Sequence, residues 1–213
     1  MAKLGPRALD LYVLTSAHVF AGRDHEEIAT AAIEGGASAV QLRAPELDDD
    51  ALTSLASSIA GWARSKGVLF VVNDRTEVAA ASGAGGVHVG QGDDPEGVRR
   101  RVPERMVLGV SVGDVEEARA AEAVGADYVA VTIWATATKP EAVPVGIDGL
   151  REVVAATALP VVGIGGIDSG NAGEVLGAGA AGIAVIGAVA TAPDPIAAVK
   201  ELRAVVDAFR EGR

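Results

Sequence analysis

The sequence predicts one α/β domain over residues 1–213, a (β/α)8 barrel, and three observations carry that expectation. Short aliphatic runs recur along the chain at intervals of roughly 20 to 30 residues, the spacing of βα units in such a barrel. Each run is followed by a helix-like segment with a polar start and a glycine-rich end. Hydrophobic residues make up 49% of the chain but aromatics only 3%, so the core is built from Val, Ile, Leu and Ala. Aliphatic runs of this kind suit parallel strands buried on both faces.

Strands are expected at Leu11–Thr15, Ala39–Leu42, Leu69–Val72, Val87–Val89, Val107–Val110, Tyr128–Val131, Val161–Ile164 and Ile183–Ile186. The first helix should start at Asp24, a good N-cap, and end at Gly35-Gly36. The second carries Leu52, Leu55, Ile59 and Trp62 at helical spacing. The fifth, Val115 to Val124, opens with acidic residues that suit the helix dipole. The last, Pro195 to Arg210, repeats Ile196, Val199, Leu202 and Val206 and closes the barrel. A small-residue pattern before strands (GGASAV, SGAGGV, VGADYV, GAGAAGI) marks a weak internal repeat, and no composition shift suggests a second domain. The competing doubly wound sheet would be expected to carry G-x-G-x-x-G after its first strand, and this chain does not.

A net charge of −11 argues against non-specific nucleic-acid binding but not against a small phosphorylated ligand in a locally positive pocket. With no cysteine, disulfides, thiolate metal sites and a thiol nucleophile are excluded. No segment reads as a signal peptide or membrane span, so a cytoplasmic location is the default expectation.

In a barrel, function collects at the C-terminal ends of the strands. Asp74 and Asp93 stand just beyond two consecutive strands, where paired carboxylates can hold Mg²⁺ against phosphate. The plain alternative is two turns chosen for backbone conformation. Glycine-rich ends at Gly165-Gly166 and Gly187 expose N–H groups to a phosphate, and a helix starting near Ser169 or Asn171 could add its dipole. Arg43 offers a bidentate fork and Lys139 a point charge, with Thr136 and Thr138 beside it. His88, inside a strand, is expected to be a hydrogen-bonded structural residue. His18 and His25 carry no signal, and Trp134 either lines the pocket or packs beneath its loop.

The series QLR, ND, GVHVGQxD, GVSV, DYV, TxTKP, IGGI and AVI, in this order and spacing, resembles the thiamine-phosphate synthase family from about Leu11 to Pro195. That resemblance implies a Mg²⁺-dependent transferase joining hydroxymethyl-aminopyrimidine diphosphate to thiazole phosphate with release of pyrophosphate. It implies Asp74 and Asp93 as Mg²⁺ ligands. Gln41, Arg43, Asn73 and Lys139 are implied as pyrimidine-diphosphate contacts with Ser111 beside them, and Arg43, Lys139 and Ser111 as the catalytic set. Thr136, Thr138, Gly166, Ile186 and Gly187 fall on the thiazole-phosphate side. The implied partners are small phosphorylated molecules, not nucleic acid or membrane, and a homo-oligomer is compatible with them. Three departures stand out: Pro45 where the family's QLREK has its lysine, a loop lacking the glycine and prolines of GPxFPTxTK, and Gly187 in place of a serine. The related thiazole tautomerases, which the resemblance would give a histidine where this chain has Thr132, remain an alternative. So does a non-catalytic phosphate-ligand sensor.

Overall fold

The computed structural model describes residues 4–17, 22–136 and 142–212. Thr138 and Lys139 therefore lie outside the described residues, as does His18. Eight parallel strands close into a barrel in chain order, each hydrogen-bonded to the next and the eighth to the first. The strands are β1 (Leu11–Leu14), β2 (Ala39–Leu42), β3 (Leu69–Asn73), β4 (Gly86–Val89), β5 (Val107–Val112), β6 (Tyr128–Thr132), β7 (Val161–Ile164) and β8 (Gly182–Val185). Between them run α1 (His25–Gly35), α2 (Asp49–Ser65), α3 (Thr76–Ser82), α4 (Pro95–Arg101), α5 (Val115–Ala123), α6 (Gly146–Ala156) and α7 (Ala172–Gly177). Two helices follow β8: a short α8 (Gly187–Ala190) and the closing α9 (Pro195–Glu211).

The expected caps are present. Asp24 accepts from the Glu27 N–H and Glu27 reaches back to the Asp24 N–H, a full capping box, and Gly36 ends α1 in the left-handed region. Asp48, Asp94, Asp114 and Asp194 each cap a helix through their side chains. Two expectations about the strand ends that bear on the site need correction. β5 runs two residues further than the aliphatic run suggested, because Ser111 is tolerated inside the ladder, where it pairs with Ala130. β8 ends at Val185, so Ile186 leaves the strand and precedes α8. The helix after β7 starts where expected, with Asn171 at its N-cap position, and is six residues long.

Strand alternation sorts the core into two layers. One set of side chains, including Val13, Val40, Val72, Val87, Val129 and Ile183, packs against the helices. The other, including Tyr12, Ala39, Val71, Val107, Tyr128 and Ala184, fills the barrel interior. α9 buries Val199, Leu202 and Val206, each burial contributing about 1.5–3 kcal/mol.

At the end of the barrel where the strands begin, Asp10 is fully buried and surrounded by arginines. Its carboxylate accepts from Arg7 Nε at 2.6 Å, Arg203 Nη2 at 3.3 Å and Arg210 Nη2 at 2.8 Å. Arg203 and Arg210 belong to α9, so this cluster fastens the last helix to the start of β1.

Candidate active site

A cavity of about 700 Å³ opens at the C-terminal ends of the strands. Every described member of the expected set lines it: Gln41, Arg43, Asn73, Asp74, Asp93, Ser111, Thr136, Gly166, Ile186 and Gly187. Alternation explains the first wall. Gln41 and Arg43 are two residues apart on β2 and its extension, so both point to the inside. Asn73 pairs with His88, His88 with Gly109, and Ser111 with Ala130, which sets the polar side chains of β3, β4 and β5 side by side.

Asp74 has φ 61°, the one positive value among the described non-glycine residues. Its N–H donates to His88 O at 2.8 Å, and Arg75 N–H donates to Asn73 O at 2.7 Å. Left-handed backbone at a residue other than glycine costs energy and persists where the surroundings impose it. Asp93 closes a turn begun at Gly90, with Gly92 at φ 89°, and its Oδ2 accepts from the Gly90 N–H at 2.7 Å. The two acidic residues are thus turn residues and cavity residues at once. Among the described residues no group of three or more metal-ligating side chains occurs. Two carboxylates suit Mg²⁺, which takes its remaining oxygens from phosphate and water.

The opposite wall is backbone. Gly165 and Gly166 have φ 96° and 68°, and a Cβ on Gly165 would lie 2.7 Å from Trp134 O. Trp134 does not line the cavity. It packs against the core, partly buried, with its own Cβ beneath Gly166. Asn171 Nδ2 donates to Gly166 O at 2.8 Å, and the Asp168 N–H donates to Asn171 Oδ1 at 2.9 Å, holding the loop in shape. No described residue accepts from the N–H groups of Gly165, Gly166, Gly187 or Ala188. The expected helix near Ser169 or Asn171 is present as α7, with Asn171 at its N-cap position, beside these N–H groups and the turn that opens α8.

The electrostatics of the wall are informative. Among its described lining residues, Arg43 faces three carboxylates, Asp74, Asp93 and Asp168. Asp168 is partly committed, its Oδ1 accepting from the Gly170 N–H at 2.8 Å. A polyphosphate entering this cavity needs added positive charge near Asp74 and Asp93, since like charges at short range repel by several kcal/mol in a site of low dielectric.

One histidine matches expectation and one differs from it. His88 is buried and structural, as expected, but it also lines the cavity and meets Ser111 Oγ at 3.0 Å. His25, which carried no signal, is 6% exposed as the first residue of α1. Its Nδ1 meets Thr15 Oγ1 at 2.7 Å and its Nε2 meets Glu46 Oε1 at 2.5 Å, while Arg43 N–H donates to the same Thr15 Oγ1. The loop that carries Arg43 is therefore tied to the start of α1. Tyr12 and Tyr128, also unread in the sequence, are the largest wholly buried side chains among the described residues, and Tyr12 reaches the cavity floor. Their signal was available in principle: a large polar aromatic at an inward strand position has to find a partner.

A family model described as thiamine monophosphate synthase matches residues 11–189. The chain is 50% identical over 206 residues to a thiamine-phosphate synthase of Methanoregula boonei, covering 95% of each. It is 46% identical to one of Moorella thermoacetica, covering 94% of this chain and 97% of that one. Among solved structures it is similar to a thiamine phosphate pyrophosphorylase from Pyrococcus furiosus, with a TM-score of 0.88, 36% identity, and 96% and 98% of the two chains covered.

Proposed function

The chain belongs to the thiamine monophosphate synthase family, and from that premise we propose how its barrel serves the reaction. It is a transferase, a thiamine-phosphate synthase. The finer reading is that hydroxymethyl-aminopyrimidine diphosphate and thiazole phosphate meet in the one cavity and leave as thiamine phosphate and pyrophosphate. The observation that carries it is the division of that cavity into a wall of polar side chains with two carboxylates and a wall of free backbone N–H groups.

On the first wall, Asp74 and Asp93 would hold Mg²⁺, which when bound neutralises charge on the diphosphate. Arg43 supplies a fork to the same group, and Lys139 belongs with it in this reading. Gln41, Asn73 and Ser111 orient the pyrimidine ring. On the second wall, the N–H groups at Gly166 and Gly187, with Thr136 and Thr138, receive the thiazole phosphate, and Ile186 packs beside it. The C–O bond to the diphosphate breaks with both electrons leaving on oxygen. The resulting pyrimidine-methyl cation is captured by the thiazole nitrogen, forming the C–N bond. No side chain has to act as nucleophile, so catalysis is positioning plus charge stabilisation. The tautomerase alternative finds Thr132, not a histidine, lining the cavity.

The direct test is to incubate the protein with both substrates and Mg²⁺ and assay thiamine phosphate and pyrophosphate. Both should accumulate in equal amounts; no product at high protein concentration overturns the reading. The division into walls makes a second expectation. A Cβ on Gly187 meets nothing within 4 Å, so Gly187→Asp should fold normally while setting a negative charge against the thiazole phosphate. Calorimetric titration should show thiazole phosphate binding abolished and pyrimidine diphosphate binding retained. Equal damage to both would mean that the walls are assigned wrongly.

A further inference from the structure

Five side chains from five strands form one hydrogen-bonded chain across the inside of the barrel. Gln41 Nε2 donates to Tyr12 Oη at 2.7 Å, and Tyr12 Oη meets Tyr128 Oη at 3.0 Å. Tyr128 Oη meets His88 Nδ1 at 2.9 Å, and His88 Nε2 meets Ser111 Oγ at 3.0 Å. The two ends of the chain, Gln41 and Ser111, line the cavity. Its middle is made room for by the sequence: a Cβ on Gly109 would lie 2.1 Å from Tyr128 Cζ. Only a bare position on β5 lets that phenol pass.

The chain has a direction. Each phenol carries one proton and donates once, and a neutral imidazole donates from one nitrogen and accepts at the other. Burial raises both phenols above the ordinary tyrosine range, so they stay protonated donors. If Gln41 Nε2 donates to Tyr12, then Tyr12 donates to Tyr128 and Tyr128 to His88 Nδ1. The histidine proton then sits on Nε2 and points at Ser111 Oγ, which leaves the serine hydroxyl proton free to face the cavity. At the other end Gln41 Oε1 is buried, the residue being 1% exposed, and has no partner among the described residues. An unpaired buried acceptor costs about 1–3 kcal/mol and is satisfied by a donor on the ligand. This direction thus presents an acceptor at Gln41 and a donor at Ser111. The reversed chain would turn the amide over and present the opposite pair. An aminopyrimidine has both an exocyclic N–H donor and ring-nitrogen acceptors, so the direction decides which way round it fits.

We propose that Tyr12 and Tyr128 are positioning residues that, through the direction of this chain, fix which atom of the Gln41 amide and which side of the Ser111 hydroxyl meet the pyrimidine substrate. This rests on the synthase reading above. Tyr128 does not line the cavity and Tyr12 only reaches its floor; in this proposal each acts through its neighbour. The geometry also confines the effect to one wall, because no member of the chain contributes to the glycine wall at β7 and α8.

The test titrates Tyr12→Phe and Tyr128→Phe, alone and combined with Gln41→Ala. The probes are hydroxymethyl-aminopyrimidine diphosphate with Mg²⁺ and, separately, thiazole phosphate. Each phenylalanine should weaken pyrimidine binding about tenfold, on the order of 1.4 kcal/mol, and leave thiazole phosphate binding unchanged. In the Gln41→Ala background, Tyr12→Phe should weaken binding no further, since the residue it acts through is gone. Unchanged pyrimidine affinity in both single variants overturns the proposal. So does an equal loss of both ligands, including by misfolding, because the tyrosines would then only support the barrel. An additive loss in the Tyr12→Phe, Gln41→Ala double variant overturns it as well. A wild type that binds no pyrimidine diphosphate would instead sink the synthase reading itself.

Discussion

Asp10→Ala should melt about 6–12 °C below the wild type while leaving ligand binding intact in the folded protein. Asp10 is the fully buried centre of an ion cluster whose arginines are partly exposed, with Arg203 at 18% and Arg210 at 25% side-chain exposure. Removing one partner of a buried pair costs about 3–5 kcal/mol, most of it from the charge left behind. The arginines here can turn partly to water, which places the loss at the lower end of that range. For a chain of 213 residues each kcal/mol moves the melting temperature by roughly 2–4 °C. Asp10→Asn should lose less, because it keeps one acceptor for the surrounding N–H groups. Thermal and urea unfolding followed by circular dichroism measure both. A melting temperature within about 2 °C of wild type for Asp10→Ala would mean that the cluster contributes no more than a surface pair.

Asp93→Asn should keep the fold and lower turnover by on the order of a hundredfold, comparable to deleting one electrostatic group from a reacting centre. Its structural task can pass to the amide: the Gly90 N–H can donate to Asn Oδ1 as it now does to Asp93 Oδ2, and the turn at Gly92 is unaffected. What is lost is one negative charge facing the cavity. Under the proposed reading this leaves Asp74 as the remaining charged ligand, so raising Mg²⁺ should restore part of the activity. The control is thiazole phosphate binding, which should not change. Full activity in Asp93→Asn, or wild-type activity indifferent to a chelator, would remove the metal from the mechanism. The same change made at Asp74 is harder to read, because that residue also adopts the left-handed backbone, where Asn is at least as comfortable.

The barrel was legible because its strands are buried on both faces and read as aliphatic runs whatever their neighbours. The expected bounds of β2 and β7 coincide with those observed, and other strand ends differ by a residue or two. The site was legible where one residue type at a strand end has a local job, as with Asp74, Asp93 and Gly166. It was not legible where the job depends on closure. Tyr12 and Tyr128 stand 116 positions apart and meet only across the finished barrel. His25 looked like loop polarity, yet it is buried against Thr15 and Glu46, ten and 21 residues away. α8 is a single turn of four small residues, too short for periodicity to register. Pro45, the most visible departure from the family motif, is exposed and does not line the cavity, whereas Arg43 two residues earlier does.

The Asp10 cluster also sets a clock on biosynthesis. Asp10 is made early, yet the arginines that neutralise it lie 193 and 200 residues later. At about 5–20 residues per second the ribosome needs roughly 10–40 s to deliver the first of them. For most of that interval β1 has no β8 beside it, and Asp10 lacks two of its arginines. The nascent chain is then an open sheet whose free strand edges can pair with another molecule. A transcript that stops short of β8 would release this species for good, so quality control in the cell should meet it as an aggregation-prone fragment and not as a slightly shortened enzyme.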